Sequence, residues 1–225
     1  MKKAPAMAGM TLPQKLRYIW DYYKLPLFAA ALLLYILIYV IVRIVSHRDP
    51  SFYLCAVNVP LTEEGRAMLD PDGTAEIVDG LCLAEDAEGD LHQLVYASRM
   101  KILGSIDAEK LDLVLADRQA LDAFAEQDFL LPLEDLFADD PAIAPSLVSA
   151  TVILSDNRTE ALLDDSVVYQ AVTEERVVAV DLSGTSLAAS LSSSEGRTQP
   201  VYLAIIRNTP RPDAAAACVR QLFAQ

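Results

Sequence analysis

The stretch from Leu111 to Asp128, LDLVLADRQALDAFAEQD, is the part of the sequence that decides the fold. Its first six residues, apolar apart from Asp112, predict a buried strand. Asp117 then stands at the N-cap position of a helix predicted over residues 118–128, in which apolar residues recur at helical spacing. A buried strand that leads directly into a capped helix is typical of a parallel α/β sheet.

The same patterns along residues 51–225 predict one α/β domain, with a mixed or parallel sheet flanked by helices. Strands are predicted at residues 53–59, 75–83, 151–154, 166–171, 176–180 and 201–206. Helices are predicted just after Thr62, over residues 91–104 and 134–137, and from Pro210 or Pro212 onward. Residues 70–73 predict a turn, and the Ser-rich segment 183–200 predicts a mobile loop or a weak helix.

An apolar run from Leu25 to Val45, in which Arg43 is the only charged residue, precedes this domain. At about 1.5 Å per residue, a helix of that length crosses a hydrocarbon core of about 30 Å. We therefore expect residues 25–45 to form a transmembrane signal anchor. The alternative is a cleaved signal peptide, which would have a shorter apolar core and a small-x-small site that the sequence after Arg43 lacks.

Charge on the two sides of this run predicts its orientation. Residues 1–24 carry five lysines and arginines against one acid, whereas residues 51–225 carry eleven against thirty acids. The positive-inside rule therefore places residues 1–24 in the cytoplasm as an N-terminal tail. Residues 51–225 become the extracytoplasmic domain of a single-pass cell-membrane protein.

The large acidic excess of residues 51–225 bears on partners. A surface with a net charge of −19 repels nucleic acid and anionic lipid, so we expect no nucleic-acid partner. Solubility of an extracytoplasmic domain is sufficient to explain most of this charge.

Three cysteines, Cys55, Cys82 and Cys218, are widely spaced. A Cys55–Cys82 bridge would be compatible with an oxidising compartment, but an odd count at such spacing is not a disulfide framework. Free, buried cysteines are the favoured interpretation.

The sequence offers little for catalysis or metal binding. His47 and His92 are the only histidines, neither accompanies a nucleophile motif, and no Cys-x-x-Cys pair is present. The eight glycines form no phosphate-binding loop. Asp70-Pro-Asp-Gly73 hints at calcium, but the alternating oxygen ligands of a full loop do not follow it. We therefore predict that the chain is not an enzyme and holds neither metal nor cofactor.

If a ligand binds, the logic of α/β folds places it beyond the carboxyl ends of the parallel strands. The polar residues expected at those ends are Asn58, Asp117, Asp181, Ser183, Arg207 and Asn208. A purely structural role is the alternative for each of them, since Asp117 is already explained as a helix cap and Asn208 as a turn former.

Residues 111–136 also resemble the extracellular solute-binding proteins of ABC importers, the periplasmic binding proteins of type II. In that family a strand with a D-hydrophobic-hydrophobic pattern leads into a helix and then into an L-x-P-L-x-D-L stretch, here Leu130 to Leu136. Residues 201–223 are similar to the family's closing strand, Asn-Thr-Pro turn and final helix. The segments 20–24 and 180–184 are similar to membrane-anchored Gram-positive bacterial proteins. The resemblance implies a solute-binding-protein-like fold, here reduced in size and kept on a membrane anchor.

Two functions are compatible with these features. The resemblance implies a binding domain that recognises a small molecule or a peptide by hinge closure, without chemistry. The alternative is a structural or interaction module of the cell envelope that has lost the ligand cleft. Such a module would dock to another membrane protein, either an envelope protein or a transporter.

Overall fold

A computed structural model of the chain describes residues 11–46, 50–84, 89–163, 166–191 and 200–224. The chain divides into two compact units, with the boundary between Asp49 and Pro50.

The first unit contains one helix, α1, which runs from Leu12 to Ser46 and has Pro26 inside it. Its apolar side chains from Leu32 to Val42 are 44–68% exposed. Among the residues that the structure describes, no helix combines the length and the apolarity that crossing a membrane requires. The span predicted at residues 25–45 therefore stays a prediction, and residues 1–10 of the predicted tail lie outside the described part.

The second unit contains six strands and seven α-helices among its described residues. The strands are β1 (Tyr53–Val57), β2 (Glu76–Leu81), β3 (Leu113–Ala116), β4 (Leu147–Asp156), β5 (Ala171–Asp181) and β6 (Tyr202–Ile205). The helices are α2 (Glu63–Leu69), α3 (Asp90–Asp107), α4 (Arg118–Glu126), α5 (Glu134–Phe137), α6 (Arg158–Leu163), α7 (Ser186–Leu191) and α8 (Pro212–Phe223).

The strands form one mixed sheet in the order β2-β1-β3-β6-β5-β4. Strand β1 is parallel to both β2 and β3, whereas β6 is antiparallel to β3 and β5, and β4 is antiparallel to β5. The α/β class with a mixed sheet flanked by helices is confirmed.

Alternate residues of the central strand β3 face two separate apolar cores. Leu113 and Leu115 belong to one core, which α2, α5, α7 and α8 cover, while Val114 and Ala116 belong to the other, which α3 and α4 cover. Successive side chains of a strand point to opposite faces of the sheet, so a strand covered on both faces reads as a continuous apolar run. This burial explains the pattern seen in residues 111–116.

The strand predicted at residues 166–171 was wrong. The backbone forms a loop there, and β5 begins only at Ala171. The Asn157 side chain fastens this loop, because Nδ2 donates to the Val168 carbonyl at 3.0 Å and Oδ1 accepts from the Gln170 amide at 2.6 Å. These side-chain bonds replace the ladder that a strand would have made.

The predicted turn and helix ends agree with the structure better than the predicted strand at residues 166–171 does. Residues 70–73 form the predicted turn, and the Asp70 carboxylate accepts hydrogen bonds from the amides of Thr74 and Ala75 at 3.0 and 2.8 Å. Helix α8 begins at Pro212. Helix α7 occupies part of the segment predicted as a loop or weak helix, and residues 192–199 of that segment lie outside the described part.

All three cysteines are free. Cys55 and Cys218 are buried, and burial raises the pKa of each thiol to about 12. Cys82 is half-buried, so the expectation of burial was right for two of the three. The open alternative, a Cys55–Cys82 bridge, does not form.

Candidate functional site

Two of the predicted ligand residues, Asn58 and Asp117, meet where β1 and β3 end. Asn58 Nδ2 donates to Asp117 Oδ1 at 3.1 Å and to the Leu83 carbonyl at 2.8 Å, and Asn58 Oδ1 accepts from the Leu83 amide at 2.8 Å. Asp117 Oδ1 also accepts from the Ala120 amide at 2.9 Å, which confirms it as the N-cap of α4. The polar groups of both side chains are therefore engaged in joining three chain segments.

Asp181 and Ser183 lie at the same edge of the sheet, separated from Asp117 by β6. The register gives this placement, since Tyr202 pairs with both Ala116 and Asp181. Asp181 Oδ1 accepts hydrogen bonds from Ser183 at the amide (2.8 Å) and at Oγ (2.5 Å). Their contact with each other closes the turn that follows β5.

The remaining two, Arg207 and Asn208, lie at the opposite edge. The expected direction was wrong for β6, which runs antiparallel to β3, so its carboxyl end lies beside the amino end of β3. There the Arg207 guanidinium pairs with the Asp128 carboxylate, and Asn208 Nδ2 donates to the Ile106 carbonyl at 2.7 Å. Six residues expected at one edge are thus divided between two.

The structure instead contains a cleft of about 640 Å³ on the face of the sheet that α3 and α4 cover. Its volume lies within the range of small-molecule sites. The lining residues come from the segment after β2, from α3, from α4 and the residues after it, and from the end of β4 with the start of α6: Leu83, Ala84, Arg99, Ile102, Leu103, Gln119, Ala123, Phe124, Glu126, Gln127, Phe129, Ile153, Ser155, Asp156 and Arg158.

One wall of the cleft is an extension of the sheet. Strand β6 pairs only with residues 179–181 of β5, so β4 and β5 continue past it as a two-stranded arm. We call residues 151–156 and 171–175 the β4–β5 arm. Ile153 and Ser155 of β4 both line the cleft, and the pairing of β4 with β5 is irregular between them.

Helices α3 and α4 provide the other side chains. Gln119, Ala123 and Glu126 are spaced along one face of α4, as helical geometry requires. Asn58 holds Leu83 beside this helix, because its side chain forms hydrogen bonds with both Leu83 and Asp117, the N-cap of α4. The two predicted residues therefore support the cleft without lining it.

Charged side chains in the cleft differ in their pairing. Arg158 Nε lies 3.7 Å from Asp156 Oδ2, and its guanidinium stacks over the Tyr169 ring at 5.7 Å. The pKa of Arg158 is raised, mostly by Tyr169 and further by Asp156 and Glu126. Within the described residues, Arg99 of α3 makes no hydrogen bond or ion pair. It is the lining cation left without a described partner.

The sequence contained one signal for this cleft. Arg99 follows Val95 by four residues and precedes Ile102 by three, so it interrupts the apolar stripe of an amphipathic helix. The other lining segments are distant in sequence, and only the fold brings them together.

A second polar cluster, at the amino end of β3, is structural. Asp112 is 0% exposed, and its carboxylate accepts from the Tyr53 amide at 2.7 Å, from Arg211 Nη2 at 2.9 Å and from the Thr209 hydroxyl. The Arg211 guanidinium also lies 4.9 Å from the centre of the Tyr53 ring. The Tyr53 amide, the Thr209 hydroxyl and the Arg211 guanidinium therefore satisfy this buried carboxylate.

The described residues offer little that suits catalysis or metal binding. His92 lies exposed on α3, and His47 is outside the described residues. In the described part of the chain, no group of three or more His, Cys, Asp or Glu side chains is placed to hold a metal ion.

Comparisons with known proteins gave no match among protein-family models, curated proteins or solved structures. The resemblance to solute-binding proteins therefore stays a prediction.

Proposed function

We propose that this protein is a membrane-anchored, extracytoplasmic binding domain that recognises a small molecule or a peptide without converting it. The observation that carries the proposal is the cleft between α3, α4 and the β4–β5 arm, lined by Arg99, whose guanidinium has no hydrogen-bond or ion-pair partner among the described residues. Eight of the fifteen lining residues are apolar and seven are polar or charged, and concave sites that combine apolar walls with polar groups are typical of ligand binding.

Membrane anchoring is supported by the run at residues 25–45 together with α1. This helix continues through the whole run, and the side chains of residues 32–42 are exposed. A contiguous apolar surface of this kind is unfavourable in water and marks a surface that a membrane or another protein covers. The charge asymmetry on its two sides supports an extracytoplasmic position for residues 51–225.

Binding in this cleft would differ from the hinge closure that the solute-binding resemblance implies. All the lining residues belong to one compact unit, residues 50–225, so no second lobe has to close over the ligand. Half-buried apolar side chains such as Leu103 and Phe129 would cover the ligand's apolar part, and the polar groups would fix its orientation.

The proposal contains no chemical step. The cleft lining includes neither histidine nor cysteine, and its one hydroxyl, Ser155, has no lining base other than carboxylates. Asp156, the adjacent carboxylate, is engaged by Arg158 and by the Tyr169 hydroxyl at 3.3 Å. An activated nucleophile requires a base that accepts its proton, and among the described residues Ser155 Oγ makes no hydrogen bond to Asp156 or to Glu126, the other lining carboxylate.

A thermal-shift screen of the full chain in lipid nanodiscs, against amino acids, sugars, peptides and metal ions, tests the proposal. A ligand at a hundredfold excess over its dissociation constant stabilises the folded state by about 2.7 kcal/mol. Ala123→Trp, which fills the cleft, should abolish the shift. The matched control Ala97→Trp, at an exposed position of α3 outside the lining, should retain it. The absence of any shift, or an equal shift in both variants, would contradict the proposal.

A second function, docking to another membrane protein, is favoured by a separate observation. The β4–β5 arm and the connection across its end carry apolar side chains that are 50–83% exposed, namely Leu154, Leu162, Leu163, Val168 and Val172. Such a patch on a two-stranded extension is typical of an interaction surface. Cross-linking in membranes would test it, since Leu163→Asp should remove a cross-linked partner that Ala97→Asp leaves in place.

A further inference from the structure

We infer that the ligand class of the cleft is an apolar molecule that carries one carboxylate, and that Arg99 is the residue that binds the carboxylate. This inference rests on the proposed function and adds the chemistry of the ligand to it. It follows from the distribution of charge partners and apolar surface around Arg99.

Arg99 is the cation that the described residues leave available. Of the two arginines in the lining, Arg158 is engaged by Asp156 and by the Tyr169 ring, whereas Arg99 has no described hydrogen-bond or ion-pair partner. A guanidinium presents a planar fork of donors that matches the two oxygens of a carboxylate. A bound carboxylate would give Arg99 the ion pair that Arg158 already has.

The two acids of the lining do not offer an equivalent site for a cation. Asp156 lies against Arg158, and Glu126 is close enough to the same guanidinium to raise its pKa. A cationic ligand would have to compete with Arg158 for both carboxylates. An anionic ligand at Arg99 has no such competitor among the described residues, so the pairing of the four lining charges, which sum to zero, favours an anion at Arg99.

The surface beside Arg99 is apolar. Ile102 and Leu103 follow it by three and four residues on α3, so all three side chains lie on neighbouring positions of one helix face, about 5–6 Å apart at Cβ. Ile102 and Phe124 are themselves only 4% and 3% exposed, so the accessible apolar surface comes from Leu103 and Phe129, which are half-buried. A ligand whose carboxylate meets Arg99 therefore places its adjoining carbon atoms against these side chains.

Three small probes that share one apolar body distinguish charge from shape. Isothermal titration of the full chain in nanodiscs would compare 3-phenylpropanoate with 3-phenylpropanamide and 3-phenylpropylammonium. We expect the carboxylate to bind at least tenfold more tightly than either analogue, a difference of about 1.4 kcal/mol. Arg99→Met should remove this preference and leave amide binding unchanged, and Arg99→Lys should retain part of it. Lys101→Met, which removes an exposed cation from the same helix outside the lining, is the matched control and should change nothing.

The outcomes separate the inference from the proposed function. Equal binding of carboxylate and amide, tighter binding of the ammonium compound, or an Arg99→Met variant that keeps the preference would each overturn the inference, while the cleft would still be a binding site. If no probe binds, the inference also fails. The proposed function fails with it only if the broader screen gives no shift that Ala123→Trp removes.

Discussion

Asn58 Nδ2 lies 3.1 Å from Asp117 Oδ1, and this hydrogen bond joins the ends of two adjacent parallel strands. Asn58 has a φ of +59°, a left-handed conformation that asparagine tolerates better than most residues. The same amide holds both backbone polar groups of Leu83, which lines the cleft. One side chain thereby connects the sheet, the cap of α4 and the wall of the proposed site.

Replacing Asn58 should destabilise the domain. We expect Asn58→Ala to lower the free energy of unfolding by about 1–3 kcal/mol, because the partners at Leu83 and Asp117 lose their hydrogen bonds. Asn58→Gly loses the same bonds but accepts the positive φ, so it should be less destabilising. Urea unfolding followed by circular dichroism measures both. An alanine variant as stable as the wild type would show that the hydrogen bonds of Asn58 contribute nothing to stability.

Buried Asp112 should be among the least replaceable polar residues. Asp112→Ala leaves the half-buried Arg211 guanidinium without its carboxylate and the Tyr53 amide without its acceptor, and leaving such a group unpaired is destabilising by about 1–3 kcal/mol. Asp122→Ala is the comparison, since it breaks an exposed pair with Arg118 and should lower stability by less than about 1 kcal/mol. Chemical denaturation of the two variants gives the contrast. Similar losses in both would argue against a special role for the buried Asp112 carboxylate.

Stability should fall in alkaline solution because two thiols are buried. Folding raises the pKa of Cys55 and Cys218 from 9.0 to about 12, so the unfolded chain loses these protons first as the pH rises. The stabilising contribution is complete below pH 9 and is lost between about pH 9 and 12. Denaturant unfolding across this interval should show the decline. The double variant Cys55→Ala with Cys218→Ala should show a shallower decline, and an unchanged slope would contradict the explanation.

Alkylation should distinguish the three cysteines. Cys82 is half-buried, whereas Cys55 and Cys218 are buried and their raised pKa leaves almost no thiolate near neutral pH. Iodoacetamide at pH 8 should therefore modify Cys82 alone in the folded protein, and all three cysteines in urea. Peptide mass spectrometry locates the modified residues. Early modification of Cys55 in the native protein would mean that β1 is more accessible than its burial indicates.

Local features of the domain could be predicted from the sequence because neighbouring residues generate them. The strand at residues 111–116, the Asp117 cap, the turn at residues 70–73 and the start of α8 at Pro212 each depend on nearby residues. The loop at residues 166–170 escaped prediction because the bonds that shape it come from Asn157, about ten residues earlier in the chain. Residue patterns alone do not show that a distant side chain, rather than a neighbouring strand, will bond to the backbone of a segment.

The candidate site was predictable only in part. Asn58 and Asp117 lie together, as expected for residues that follow adjacent parallel strands. Their polar groups, however, form hydrogen bonds within the protein. Arg207 and Asn208 were assigned to that edge on the assumption that the last strand runs parallel to the others, and it does not. Strand direction depends on the connections across the whole sheet, which hydrophobic patterning does not record.

By itself the sequence determined the α/β class, the apolar run at residues 25–45, the acidic character of residues 51–225 and the capped helix after β3. These follow from composition and from periodicity over a few turns of chain. Only the tertiary structure decided the reversed direction of β6, the burial of Asp112 against Arg211 and the cleft around Arg99. Each of these brings together residues far apart in the chain, and their contacts are fixed by the packing of the sheet rather than by local preference.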